Sequence, residues 1–133
     1  MKWEGHTGIE IPLLPAGVIM FAGSKEEFIS WAEKSGKKLR MIAAHVMSSS
    51  DPSGMVKGCT INDGALSLIL VPRFDDADQE CVANLYHEAL HVALAQLRRL
   101  GVEIGEDGEI LAYMQGYIVK NLLMRMNGTK KRG

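Results

Sequence analysis

Residues 77–100, which read ADQECVANLYHEALHVALAQLRRL, decide the fold of this chain. Apolar residues recur there with helical spacing around most of the circumference, as in a buried central helix. Aspartates at the beginning suit the positive end of the helix dipole. Arg98 and Arg99 suit its negative end, and Gly101 is a typical left-handed stop. We therefore predict a buried central helix over this range.

This helix contains His87-Glu88-Ala89-Leu90-His91, an HExxH motif. At 3.6 residues per turn, His87 and His91 lie about 40° apart in azimuth and about 6 Å apart along the axis, so both imidazoles can converge on one ion. Zinc suits such a pair, and Glu88 can deprotonate a water molecule on the metal without being a ligand. The alternative is an ordinary helix surface with i,i+4 contacts and no metal.

A catalytic zinc needs a third protein ligand and an open position for water. The acidic residues that follow the motif are the candidates for this ligand: Glu103, Glu106, Asp107 and Glu109. Glu109 is favoured, because it begins the last predicted helix, which an antiparallel return could bring across the metal. Glu106 is the second choice. The small residues Ala112 and Gly116 lie on nearly the same stripe as Glu109 and would allow the two helices to approach closely.

The rest of the chain predicts a mixture of strands and helices. Residues 18–22 and 39–47 are predicted strands, and Ser24-x-x-Glu27 is a capping box that begins a helix. Asn62-Asp63-Gly64 joins two apolar arms, residues 58–61 and 65–71, into a β-hairpin. Residues 48–54 are a predicted loop, and the last helix covers residues 109–126 and is closed by Asn127 and Gly128. The expected fold is α+β, with a small, mostly antiparallel sheet packed on an N-terminal, a central and a C-terminal helix.

Composition limits the function classes further. The chain has 133 residues, of which 47% are hydrophobic and 23% charged, so we expect one domain over residues 1–133 with a basic tail from about residue 128. The formal net charge of -1 gives no basic field for nucleic acid or anionic membranes, and no apolar run is long enough to span a bilayer. Cys59 and Cys81 do not form a disulfide framework, which together with the lack of a targeting signal favours the cytoplasm.

HEALH on a helix, followed by Glu109-Ile-Leu-Ala-Tyr on the next helix, resembles the gluzincin branch of the zincin metallopeptidases, especially its small single-domain members, the minigluzincins. The specific part of the resemblance covers residues 87–117. An HExxH helix followed directly by a second helix is also similar to compact zincins carried by phages and mobile elements. It implies a zinc peptidase in which His87, His91 and Glu109 hold one zinc ion. It implies further that Glu88 takes a proton from water and passes it to the leaving amine, and that a bound peptide lies along a sheet edge, with residues 65–71 as the nearest strand.

The sequence departs from this family in two respects. Larger gluzincins tend to carry an aspartate four residues after the glutamate ligand, where this chain has Tyr113. This first departure leaves room for a different set of groups around the ligands, or for a different ligand. The second departure is that the sequence does not identify the tyrosine or histidine that stabilises the oxyanion in larger relatives. The candidates are Tyr113, Tyr117, His45 and His6, with Tyr113 preferred.

The sequence therefore predicts a zinc-dependent endopeptidase whose partner is a peptide or protein substrate. The main alternative is a zincin-like metal-binding interaction or regulatory protein of a phage or mobile element, without catalysis. A nucleic-acid accessory is a third alternative, suggested only by two groups of basic residues: Lys34, Lys37, Lys38 and Arg40, and residues 130–132.

Overall fold

The computed structural model describes residues 1–12, 14–48, 58–106 and 108–132, with the backbone alone for residues 47, 48 and 129–132. These residues form an α+β fold. Its strands are β1 (Lys2–Trp3), β2 (Gly5–Ile11), β3 (Ala16–Ala22), β4 (Cys59–Asp63), β5 (Leu66–Val71) and β6 (Phe74–Asp75). Its helices are α1 (Lys25–Glu33), α2 (Lys37–Ser48), α3 (Gln79–Arg99) and α4 (Glu109–Arg132). The predicted loop at residues 48–54 lies largely outside the described residues.

The main sheet has the strand order β2-β3-β5-β4. The β2–β3 and β5–β4 pairs are antiparallel, whereas β3 and β5 are parallel, with Val18 opposite Ser67. The sheet is therefore mixed, although most of its pairings are antiparallel as predicted. β1 and β6 form a separate antiparallel pair.

The predicted hairpin is confirmed as β4 and β5, joined by a turn in which Gly64 has a φ of 59°. β5 is paired on both sides, so the expectation that residues 65–71 are the strand nearest a bound peptide is wrong. The sequence pattern identifies an apolar strand but does not say whether the strand lies inside the sheet or at its edge. Among the described strands, β4 is the edge next to α3.

Helices cover both faces of the sheet. Side chains that alternate along β3 and β5 separate into two cores, as the pleat requires. Val18, Met20 and Ile69 pack with residues of α3 and α4. Phe21, Leu68 and Leu70 pack on the opposite face with residues of α1 and α2, and the sheet therefore separates α3 from α2.

α1 confirms the predicted capping box. The Glu27 N–H donates to the Ser24 hydroxyl oxygen at 3.1 Å, and the Ser24 N–H donates to the Glu27 carboxylate at 3.1 Å. Each residue therefore satisfies a backbone donor that the first helical turn leaves without a partner.

The predicted strand at residues 39–47 is wrong, because this segment belongs to α2. Its buried side chains are Leu39, Ile42, Ala43 and Val46, a spacing of three, one and three residues that only a helix places on one face. The weak alternation in the segment concealed this stripe. β2 was also missed, because glycines and polar residues interrupt its two-residue periodicity before Ile9 and Ile11.

The last helix begins at Glu109 as predicted but continues to Arg132, so the stop at Asn127 and Gly128 is wrong. Glycine inside a helix costs only about 1 kcal/mol relative to alanine, which the continuing helix tolerates. The expected close contact through Ala112 and Gly116 is wrong too, because both residues are exposed and nothing lies within 4 Å of a Cβ placed on Gly116. The buried face of α4 instead carries Ile118, Val119, Leu122 and Met126.

The helices of the described residues lack the combination of length and apolar composition that crossing a bilayer requires.

The assignment of α2 predicts opposite effects for two neighbouring residues. Ile42 is 6% exposed and Met41 is 65% exposed. We expect Ile42→Ala to lower the free energy of unfolding by about 2–5 kcal/mol, because it leaves a cavity in the core, and Met41→Ala to change it by less than about 0.5 kcal/mol. Urea denaturation followed by circular dichroism measures both values. Equal losses at the two positions, or a larger loss at Met41, would contradict the helical face.

Candidate functional site

α3 confirms the predicted central helix. Its N-cap is Asp78, whose carboxylate accepts from the Glu80 N–H at 2.9 Å. This hydrogen bond, followed by one from the Arg73 guanidinium, lowers the pKa of Asp78. The chain leaves the helix through Gly101 with a φ of 70°. The expectation of burial around most of the circumference is wrong, since only one side of α3 packs against the core and His87 and His91 lie on the opposite side.

Two polar contacts attach α3 to the β4–β5 hairpin. At the C-terminal part of the helix, the fully buried Gln96 amide donates to the Gly64 carbonyl at 3.1 Å and to the Ser67 hydroxyl at 2.9 Å. Eight residues earlier in the helix, Oε2 of Glu88 accepts a hydrogen bond from the Thr60 hydroxyl at 2.5 Å. These contacts fix both the position of α3 along the hairpin and its rotation about its own axis.

Glu88 is 7% exposed, so its carboxylate is largely removed from water. A buried carboxylate needs hydrogen-bond donors, and Thr60 provides one. The neighbouring Cys59 thiol has a raised pKa, first because it is half-buried and second because the Glu88 charge opposes a thiolate. Gly58 has a φ of 125°, and a Cβ there would lie 3.3 Å from the Leu70 carbonyl oxygen, so any other residue at the entrance to β4 would be strained and tightly packed.

The structure brings His87 and His91 together as predicted. Their Nε2 atoms are 3.2 Å apart, and both side chains are exposed. With Zn–N bonds of 2.0–2.1 Å, two nitrogen ligands of a tetrahedral zinc ion lie about 3.3–3.4 Å apart, so the observed separation fits such an ion. The same separation also suits an N–H···N hydrogen bond between neutral imidazoles, which requires no metal.

The predicted third ligand does not join this pair. Among the described residues, no set of three His, Cys, Asp or Glu side chains has an arrangement that could hold a metal ion. Glu109 is exposed in the first turn of α4, and Glu106 is exposed in the preceding loop. The Gln115 amide donates to the Tyr86 carbonyl at 2.8 Å, so α4 contacts α3 one residue before His87. Glu109 is six residues from that contact, or about 9 Å along the helix axis.

The four oxyanion candidates do not gather at the histidine pair. Tyr113 is 75% exposed and precedes Gln115 by two residues, or about 200° around α4, so it lies on the side of that helix away from α3. The Tyr117 hydroxyl donates to the Glu10 carbonyl at 3.4 Å, on the side of β2. His6 packs against Trp31 of α1, and His45 belongs to α2, so both lie in the layer across the sheet from α3.

A cleft of about 450 Å³ separates α3 from the edge strand β4. It is lined by Cys59, Thr60, Asn62, Glu88, His91, Leu94, Ala95 and Arg98. Thr60, Asn62 and Arg98 were not predicted as site residues. The hairpin register offered a signal for the first two, because Cys59 and Ile61 pack against the α2 layer and the alternate residues must face α3.

A second cavity, of about 770 Å³, lies between β2 and α4 on another part of the surface. Its lining includes Glu10, Tyr117, Asn121 and Arg125 but no histidine or cysteine. Two of the predicted site residues, Glu88 and His91, therefore line the first cleft, whereas His87 and Glu109 are not part of its lining.

The contact between Thr60 and Glu88 makes a testable contribution to stability. We expect Thr60→Val, which keeps the shape but removes the donor, to lower the free energy of unfolding by about 1–3 kcal/mol. The loss should be smaller in a Glu88→Gln background, where the buried charge is absent. Thr7→Val on β2 is the matched control and should change stability by less than about 0.5 kcal/mol. Urea titrations of the four Thr60 and Glu88 combinations give the coupling energy, and a coupling of zero would refute the contact.

Comparison of the chain with protein-family models, with curated proteins and with solved structures gives no match. The interpretation of the cleft therefore rests on its own side chains. His91 and the buried Glu88 line the cleft, His87 lies beside His91 at the separation of two zinc ligands, and the edge strand β4 forms the opposite wall.

Proposed function

We propose that this chain is a zinc-dependent peptidase with a zincin-like fold. The observation that carries the proposal is the 3.2 Å separation of the His87 and His91 Nε2 atoms next to the buried carboxylate of Glu88. A helix surface without a function has no need to bury a carboxylate beside two exposed imidazoles, because burying an ionisable group is costly. The resemblance of HEALH and Glu109 to small gluzincins supports the same proposal.

In this proposal His87, His91 and Glu109 hold the zinc ion. The two imidazoles already have the required separation. Glu109 does not join them in the structure, so it has to reach them by movement of its side chain or of the first turn of α4. The contact between Gln115 and Tyr86 keeps this end of α4 beside the histidine pair while Glu109 moves.

When bound, zinc supplies Lewis acidity, which lowers the pKa of water and polarises a peptide carbonyl. Glu88 takes the proton from the attacking water and delivers it to the leaving amine. Thr60 is a positioning residue, because its hydroxyl holds Oε2 of Glu88 and leaves Oε1 for the proton transfer. Tyr113 is the group proposed to donate a hydrogen bond to the developing oxyanion, and like Glu109 it has to move from the exposed side of α4 to do so.

The peptide substrate is proposed to add to the open edge of β4, across the cleft from His91. Main-chain hydrogen bonds to an edge strand hold a peptide extended, which is the conformation that exposes a scissile bond. The cleft between β4 and α3 is short, so the bound segment covers only a few residues.

Four variants test metal binding and catalysis separately. We expect wild type to bind one equivalent of zinc, and His91→Ala and Glu109→Ala to lose it, as measured by elemental analysis of protein purified without a metal-binding tag. Glu88→Gln should keep the zinc but hydrolyse peptides about 10²–10⁴-fold more slowly, because the proton acceptor is gone. His45→Ala on α2 removes an exposed histidine outside the site and should change neither property.

The outcomes distinguish three conclusions. Wild type that binds no zinc even after addition of the metal would refute the site. Zinc binding in wild type with no hydrolysis of a complex peptide mixture would leave a metal-binding module without catalysis. Retention of zinc in Glu109→Ala would exclude Glu109 as a ligand and direct the same test to Glu106.

A further inference from the structure

The cleft between α3 and β4 has a defined direction. Thr60 of β4 contacts Glu88 of α3. Four residues further along the hairpin, Gly64 contacts Gln96, which is eight residues further along α3. Four residues of a strand and eight residues of a helix both cover about 12–13 Å, so the two elements advance together. β4 and α3 therefore run parallel, with Glu88 near the beginning of the cleft and Gln96 at its far end.

Arg98 lies at the far end of this cleft. It follows His91 by seven residues, which places it on the same face of α3 and about 10 Å further along the axis. Arg98 is exposed and lines the cleft together with Asn62. Within the described part of the chain, no carboxylate forms an ion pair with its guanidinium.

Leu94 and Ala95 form the wall of the cleft between His91 and Arg98. The cleft therefore suits a ligand of which one group lies at His91, an uncharged part lies along Leu94 and Ala95, and a carboxylate reaches the guanidinium of Arg98. A guanidinium recognises carboxylates well, since it can donate two parallel hydrogen bonds to the two oxygens.

We propose that Arg98 selects peptides that carry aspartate or glutamate at the third residue before the scissile bond. A peptide that pairs antiparallel with β4, the more stable arrangement, runs from Arg98 towards Glu88. Its residues near Arg98 therefore precede the scissile bond, and about 10 Å corresponds to three extended residues at 3.3 Å each. This inference names a substrate class for the site proposed above and rests on that function.

The direct test digests a peptide library of broad sequence with zinc-loaded wild type and identifies the new N-termini by mass spectrometry. We expect acidic residues three positions before the cleavage site in wild type. In Arg98→Glu the cleavage rate of such peptides should fall about tenfold, and the cleavage rate of peptides with lysine or arginine at that position should rise. Lys120→Glu on α4 makes the same change of charge outside the cleft and should keep the acidic preference.

A second measurement uses binding alone, so that it does not depend on hydrolysis. Glu88→Gln protein and Glu88→Gln/Arg98→Glu protein are each immobilised, and the peptides that each retains from the same library are compared. The first should retain acidic peptides about tenfold better than the second.

The two measurements separate the inference from the function on which it rests. Cleavage without an acidic preference, or with a preference that survives Arg98→Glu, overturns the role of Arg98 and leaves the peptidase intact. No cleavage by wild type, with an Arg98-dependent preference in binding, refutes the peptidase and keeps the acidic-peptide cleft. No cleavage and no preference in binding refute both.

Discussion

Gln96 is the residue on which the geometry of the cleft depends. Its fully buried amide joins the Gly64 carbonyl and the Ser67 hydroxyl, and the Arg99 guanidinium donates to its other end at 2.8 Å. A polar side chain without exposure tolerates little displacement, because every lost hydrogen bond leaves a buried polar group without a partner. The hairpin therefore holds α3 in one rotational position. In that position Glu88 meets β4, and the two histidines face outward.

This arrangement gives neighbouring residues of one helix different surroundings. Glu88 is buried against Thr60, whereas His87, one residue earlier, is exposed. A group that exchanges protons gains from a fixed position, and imidazoles that bind an ion need access to solvent. The 100° between successive residues of a helix supplies both conditions without any irregularity of the backbone.

The sequence predicted the features that depend on neighbouring residues. The capping box at Ser24, the turn at Gly64 and the pairing of His87 with His91 each follow from spacings of two to four residues, and the structure contains all three. Features that depend on distant contacts were missed or misread. The segment of α2 has a weak alternation that predicts a strand, although its buried residues form a helical stripe. The edge position of β4 follows only from the pairing of β5 with β3.

The same distinction applies within the candidate site. Glu88 and the histidines come from one helix, so the spacing of the motif places them. A seven-residue spacing places Arg98 on the face of α3 that carries His91, and the alternation of β4 turns Thr60 towards that helix, but only the packing of the hairpin on α3 brings the two residues into one cleft. The position of Glu109 depends on the path of residues 100–108, and the small residues that were expected to draw α4 close, Ala112 and Gly116, face solvent instead.

The shortness of β4 limits the residence time of any strand that pairs with it. Five residues offer few main-chain donors and acceptors to a neighbour, since the groups of an edge strand alternate between its paired and open sides. A partner held by so few bonds dissociates quickly, and most differences in residence time must come from its side chains. The same property protects this edge of the sheet against aggregation, because a short edge is a poor template for another copy of the chain.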